Sequence, residues 1–103
     1  MDRIQQLQAF LAANPSDSFL RHALGLEYSK LGDEQKAREV FEALLAENPA
    51  YVGTYYQLGK LLERTGEVEE AIRVYQKGLE MARAAGDQHA YNELQAALED
   101  LTF

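Results

Sequence analysis

The sequence contains no cysteine. That excludes a disulfide framework, a thiolate metal site and a cysteine nucleophile together. Proline occurs only twice, as Pro15 and Pro49, each directly after an asparagine. Scarce prolines at segment boundaries suit a helical protein, because proline inside a helix removes a hydrogen bond and clashes with the preceding turn. No apolar run approaches membrane-spanning length. Residues 1–13 carry Asp2 and Arg3 among glutamines, without the apolar stretch of a secretory signal. The expectation is a soluble, cytoplasmic protein that meets no membrane. Positive charge is also short: 10 Lys and Arg face 17 Asp and Glu, a net charge of −7. That balance disfavours nucleic acid and anionic lipid, where attraction to phosphate supplies much of the affinity. It favours basic or neutral partners, and it also serves solubility through a charged outer face.

Catalytic patterns are missing as well. The two histidines, His22 and His89, stand apart, and no His-Glu-x-x-His arrangement exists. His89 and Glu93 lie four residues apart and would share one helical face, but no second pair of ligands completes a metal site. There is neither a Gly-x-x-x-x-Gly-Lys-Ser/Thr loop nor a Gly-x-Gly-x-x-Gly turn to cradle phosphate. The few serines and threonines sit in no strand-to-helix elbow. The carboxylates are dispersed on what read as solvated helix faces. The expectation is no enzyme, no cofactor and no metal.

What the sequence does have is a period. Leu24-Gly25 and Leu58-Gly59 are the same dipeptide 34 residues apart, and Gly32 and Gly66, Ala37 and Ala71, Phe41 and Tyr75, and Leu45 and Leu79 keep that offset. So do Asn14-Pro15 and Asn48-Pro49. A repeat of this length indicates stacked helix-turn-helix units. The 103 residues are enough for one domain that buries roughly two thirds of its unfolded surface. Apolar spacing divides the chain into six helices. The first runs from about Asp2 to Ala13, with Ile4, Leu7, Phe10 and Leu11 as its stripe, and stops at Asn14-Pro15. The second carries Phe19, Leu24, Tyr28 and Leu31, capped by Ser16 or Asp17 and closed by Gly32. Asp33 caps the third, whose stripe is Ala37, Val40, Phe41, Leu44 and Leu45. The fourth has Val52, Tyr55, Leu58, Leu61 and Leu62. A fifth runs from about Glu67 to Ala85 on Ala71, Ile72, Tyr75, Leu79 and Ala82. The sixth carries Tyr91, Leu94, Leu98 and Leu101.

Leu24, Gly25, Tyr28, Gly32, Ala37, Phe41, Leu45 and Pro49, then Tyr55, Leu58, Gly59, Leu62, Gly66, Ala71, Tyr75 and Leu79, make a pattern that resembles the tetratricopeptide repeat (TPR) family. The resemblance implies an all-α fold, a right-handed superhelix of about six antiparallel helices. It assigns a half-repeat helix to 1–15, full repeats to 18–51 and 52–85, and a closing helix to 87–102. The pattern departs at Arg83, where a closing proline would stand, so the fifth helix is free to run about a turn longer. The resemblance also implies a protein-interaction module whose first helices line a groove for a peptide or helix of a partner. Carried onto this sequence, groove positions are Phe19, His22, Ala23, Leu26, Ser29 and Lys30, then Gly53, Tyr56, Gln57, Lys60, Glu63 and Arg64, then His89, Asn92, Glu93, Ala96, Glu99 and Asp100. Phe19, Leu26 and Tyr56 are the large apolar groups among them, and Lys60 and Arg64 would favour acidic groups nearby. A two-carboxylate clamp for chaperone C-termini would require Lys, Asn, Asn, Lys and Arg where His22, Leu26, Gln57, His89 and Glu93 stand, so that use is not expected. Two alternatives accompany the groove. One is a self-association edge on the sixth helix, made of Tyr91, Leu94, Leu98, Leu101 and Phe103 and giving a weak homodimer. The other is an accessory chaperone for a client protein.

Overall fold

The computed structural model describes residues 2–102. Among them are six α-helices and no strand: α1 (Arg3–Ala13), α2 (Ser18–Lys30), α3 (Glu34–Glu47), α4 (Gly53–Arg64), α5 (Val68–Ala85) and α6 (Gln88–Thr102). They form two compact units, residues 1–48 with α1 to α3 and residues 49–103 with α4 to α6.

Aspartates start four of the helices. Asp2 accepts from the Gln5 amide at 2.8 Å while its own amide donates to the Gln5 side chain at 3.2 Å, a reciprocal capping box. Asp17 accepts from Leu20 N–H at 3.0 Å, Asp33 from Lys36 N–H at 3.2 Å and Asp87 from Ala90 N–H at 3.0 Å. Each bond satisfies an amide that the first turn leaves without a helical acceptor. Asp33→Ala is expected to lower stability by about 1 kcal/mol, read as a lower urea midpoint at unchanged slope. Three helices end on glycine. Gly32, Gly66 and Gly86 adopt φ of 79°, 81° and 69°, and the amides that follow them reach back to Tyr28 O at 2.9 Å, Leu62 O at 2.8 Å and Ala82 O at 2.9 Å. Such a left-handed closure suits glycine and ties off the last carbonyls.

In the first unit, α2 pairs with α3 and α1 packs on α2. Gly25 presses against the ring of Phe41 so closely that a β-carbon would overlap it. Phe41, Ala37 and Leu44 of α3 are fully buried, as is Leu7 of α1. The expected α1 stripe holds only in part, for Phe10 is 55% exposed. The reason is that α1 has one helical neighbour, so only a narrow strip of its surface is covered. The α2 start and α3 end are tied by Asn48 donating to Ser18 Oγ at 2.9 Å and by Arg21 with Glu47 at 3.1 Å.

The second unit repeats the pairing and extends it. The ring of Tyr75 from α5 lies in the notch that Gly59 leaves in α4. Gly78 makes a further tight contact, since a β-carbon there would stand 2.7 Å from Tyr55 Cβ and 3.0 Å from Leu94 Cδ1. So α5 is pressed between α4 and α6, and α6 also touches α4. The side chain of Arg83 turns toward α6, with its guanidinium 5.3 Å from the Tyr91 ring centroid and donating to the Tyr91 hydroxyl at 2.9 Å.

Candidate functional site

Burial divides α4 into two faces. Tyr55, Leu58, Leu61 and Leu62 face the core. Gln57, Lys60 and Arg64 follow Tyr56 by one, four and eight residues on the outward side, with Tyr56, Gln57 and Lys60 half-buried and Arg64 exposed. The outward side is organised. Lys60 Nζ stands 5.6 Å from the Tyr56 ring centroid and 3.6 Å from a Glu63 carboxylate oxygen. From the opposite side the Tyr75 hydroxyl donates to the same carboxylate. Tyr75 therefore crosses the hairpin, its ring filling the Gly59 notch and its hydroxyl reaching the outward face. Burial first, and then the hydrogen bond to anionic Glu63, push its phenol well above the ordinary tyrosine range.

On α6, His89, Asn92, Glu93, Glu99 and Asp100 are all exposed, and Gln88 donates to Asn92 at 2.8 Å. Because α4 and α6 touch in one unit, these stripes belong to a single body. In the first unit, Phe19, His22 and Leu26 follow one another along α2. Phe19 is 66% exposed, and His22 and Leu26 are half-buried. The His22 ring is tilted against Phe41 at 5.9 Å between centroids, and burial lowers its pKa. No counterpart of the Glu63 network exists there, since Phe41 has no hydroxyl and Ser29 occupies the matching place. Glu63 as a held carboxylate and the hydroxyl of Tyr75 were not foreseen. The signal was present in the offset pairs, with Tyr75 against Phe41 and Glu63 against Ser29.

The proposed apolar edge on α6 is corrected in one member. Leu94 is 1% exposed, buried within its own unit, because α6 packs on both α4 and α5 rather than on α5 alone. Tyr91, Leu98 and Leu101 are half-buried, and Phe103 lies outside the described residues. The exposed large hydrophobic side chains among the described residues are Phe10, Phe19, Leu31 and Val68, none of them on α6. A pocket of about 330 Å³ at the α5–α6 corner is lined by Arg83, Gly86, Asp87, Gln88 and Tyr91, with Arg83 bound to Tyr91 and Asp87 capping α6. No cluster of three or more His, Asp or Glu side chains among the described residues is placed to hold a metal. No helix among them is long and apolar enough to cross a membrane.

The family model described as the tetratricopeptide repeat matches residues 29–98. The chain belongs to the tetratricopeptide repeat family. A TPR repeat-containing protein of Pseudomonas aeruginosa is 30% identical over 98 residues, which cover 95% of this chain and 93% of that one. The crystal structure of a TPR domain protein from Salinibacter ruber superposes with a TM-score of 0.80 at 43% identity, covering 84% of this chain and 96% of its own. The solution structure of a Bordetella parapertussis protein gives 0.84 at 30% identity, covering 99% and 89%. The fold is the all-α TPR type, as the resemblance implied. TPR domains generally act by holding other proteins, not by catalysis.

Proposed function

We propose that the chain is an adaptor that binds a peptide or helix of a partner protein on the outward faces of its first-half helices, above all on α4 and α6. The observation that carries this reading is Tyr56. Its ring is half-buried on the side of α4 away from the core and is held by Lys60. Tyrosine is a common anchor because its ring covers apolar area while its hydroxyl stays hydrated. In the first unit Phe19 and Leu26 offer a corresponding apolar pair on α2. Binding alone accounts for these features, and no catalytic role is assigned to them.

Tyr56→Ala is expected to weaken a verified partner by about 1–2 kcal/mol while costing folding less than that. Phe19→Ala should act in the same direction at the first unit. Titration calorimetry beside urea unfolding separates the two effects, and unchanged affinity in both variants would exclude these faces.

Self-association is favoured as a second reading by Leu31, 72% exposed, and Phe10, both in the first unit. Sedimentation with Leu31→Glu tests it, since the variant should remain monomeric at concentrations where the parent associates.

A further inference from the structure

The last turns of the helices carry an electrostatic irregularity. A helix C-terminus bears partial negative charge and is stabilised by cations. Accordingly α2 has Lys30 there, α4 has Arg64 and α5 has Arg83. Helix α3 ends on Glu47, which Arg21 neutralises at 3.1 Å. Helix α6 is different. Its last turn holds Glu99 and Asp100 and no basic residue. Both carboxylates are exposed, and neither forms an ion pair among the described residues. Glu93 lies farther back on the same outward face, about 10 Å from Asp100 along the axis, and the small side chain of Ala96 between them permits close approach.

The α4 side of this face has its charges answered internally. Lys60 is taken by Glu63 and the Tyr56 ring, and Arg64 is also engaged within the chain. What the face leaves for a visitor is therefore the negative charge of α6, on a chain whose net charge is already −7.

We propose that the partner segment docking on the α4–α6 face is basic. Its lysine or arginine side chains seat against Glu99, Asp100 and Glu93, while an apolar side chain packs on Tyr56. This rests on reading that face as the docking surface. The incoming cations supply the charge that the C-terminal end of α6 lacks, so complementarity selects the partner as well as attracting it.

The test uses the whole chain with a synthetic amphipathic peptide of alanine, leucine and lysine, its lysines at i and i+7, and a twin with glutamate in place of lysine. The lysine peptide should bind and the glutamate twin should not. Glu99→Gln with Asp100→Asn should weaken the lysine peptide about five- to tenfold. Glu69→Gln with Glu80→Gln, which removes equal charge from α5, should change it less than about twofold. Without peptide, the α6 double variant should melt about 2–5 °C higher, because it relieves the unfavourable end charges. Equal loss in both double variants would reduce the effect to diffuse attraction and overturn the proposal. So would no binding, preference for the glutamate twin, or no rise in melting temperature. Loss of binding on Tyr56→Ala but not on neutralising α6 would keep the docking face and remove its basic partner. Loss on neutralising α6 but not on Tyr56→Ala would place the cation contact outside that docking surface.

Discussion

Gly59→Leu is expected to destabilise the second unit by about 3 kcal/mol or more. The notch at Gly59 is occupied by the Tyr75 ring, which is fully buried and has no open space to swing into. Gly59→Ala is the sharper test, because two effects oppose each other. Alanine favours a helix over glycine by about 1 kcal/mol, whereas the added methyl overlaps the ring and forces Tyr75 off its position at about 1–3 kcal/mol. The clash should prevail, so Gly59→Ala should be less stable than the parent despite better helix propensity. Shrinking the ring should relieve it: Gly59→Ala in a Tyr75→Leu background should cost at least about 1 kcal/mol less than in the parent. Urea unfolding of the four proteins measures this coupling, and a stabilising Gly59→Ala would show that the two helices do not interlock as described.

The second large effect is alkaline destabilisation through Tyr75. An unfolded tyrosine loses its proton near pH 10. In the folded chain the phenol is pushed well above that, by burial and by its hydrogen bond to Glu63. Below the unfolded value both states are protonated and the contribution to stability is complete. As pH rises from there toward the folded value, the unfolded state releases the proton and the native state keeps it. Stability then falls by up to about 1.4 kcal/mol per pH unit. Tyr55 is raised as well, by burial and by the negative charge of Glu80, and adds a slope of the same sign. Tyr75→Phe should lose about 1 kcal/mol at neutral pH with the hydroxyl hydrogen bond, yet decline less steeply above pH 10. Stability curves for the two proteins should therefore meet at about pH 10.6, above which the phenylalanine variant is the more stable. Parallel curves would mean that Tyr75 does not resist ionisation.

Legibility in the sequence followed the kind of interaction. Gly25 and Gly59 were readable because a repeated glycine beside a repeated leucine, matched with Phe41 and Tyr75, has few meanings other than helix contact. Gly32 and Gly66 were readable because a glycine between two apolar periods marks a left-handed closure. Gly78 was not, since the first repeat has Leu44 at that offset. It is the arrival of α6 at Leu94, together with Tyr55, that makes glycine necessary. The same neighbour moved Leu94 out of the proposed edge. Phe10 failed in the opposite sense. Periodicity identifies a stripe, and only the number of adjacent helices decides how much of it is covered. For the candidate site, the positions of Tyr56, Lys60 and Arg64 came from the family pattern. Their engagement did not, because Lys60 reaches Glu63 and Tyr56 through rotamers that spacing alone leaves open.

The four aspartate caps divide the helices by how they begin. Helices α1, α2, α3 and α6 secure their first turns with a side chain from the adjoining residue, whereas α4 and α5 have no side-chain cap bond. Starting a helix is the expensive step, and a local bond lowers that barrier before any packing exists. The uncapped pair contains the Gly59–Tyr75 interlock. Its helices gain order chiefly by closing on each other, so a change that loosens the Gly59–Tyr75 contact should loosen both helices together, whereas the aspartate-led helices keep a local hold on their first turns.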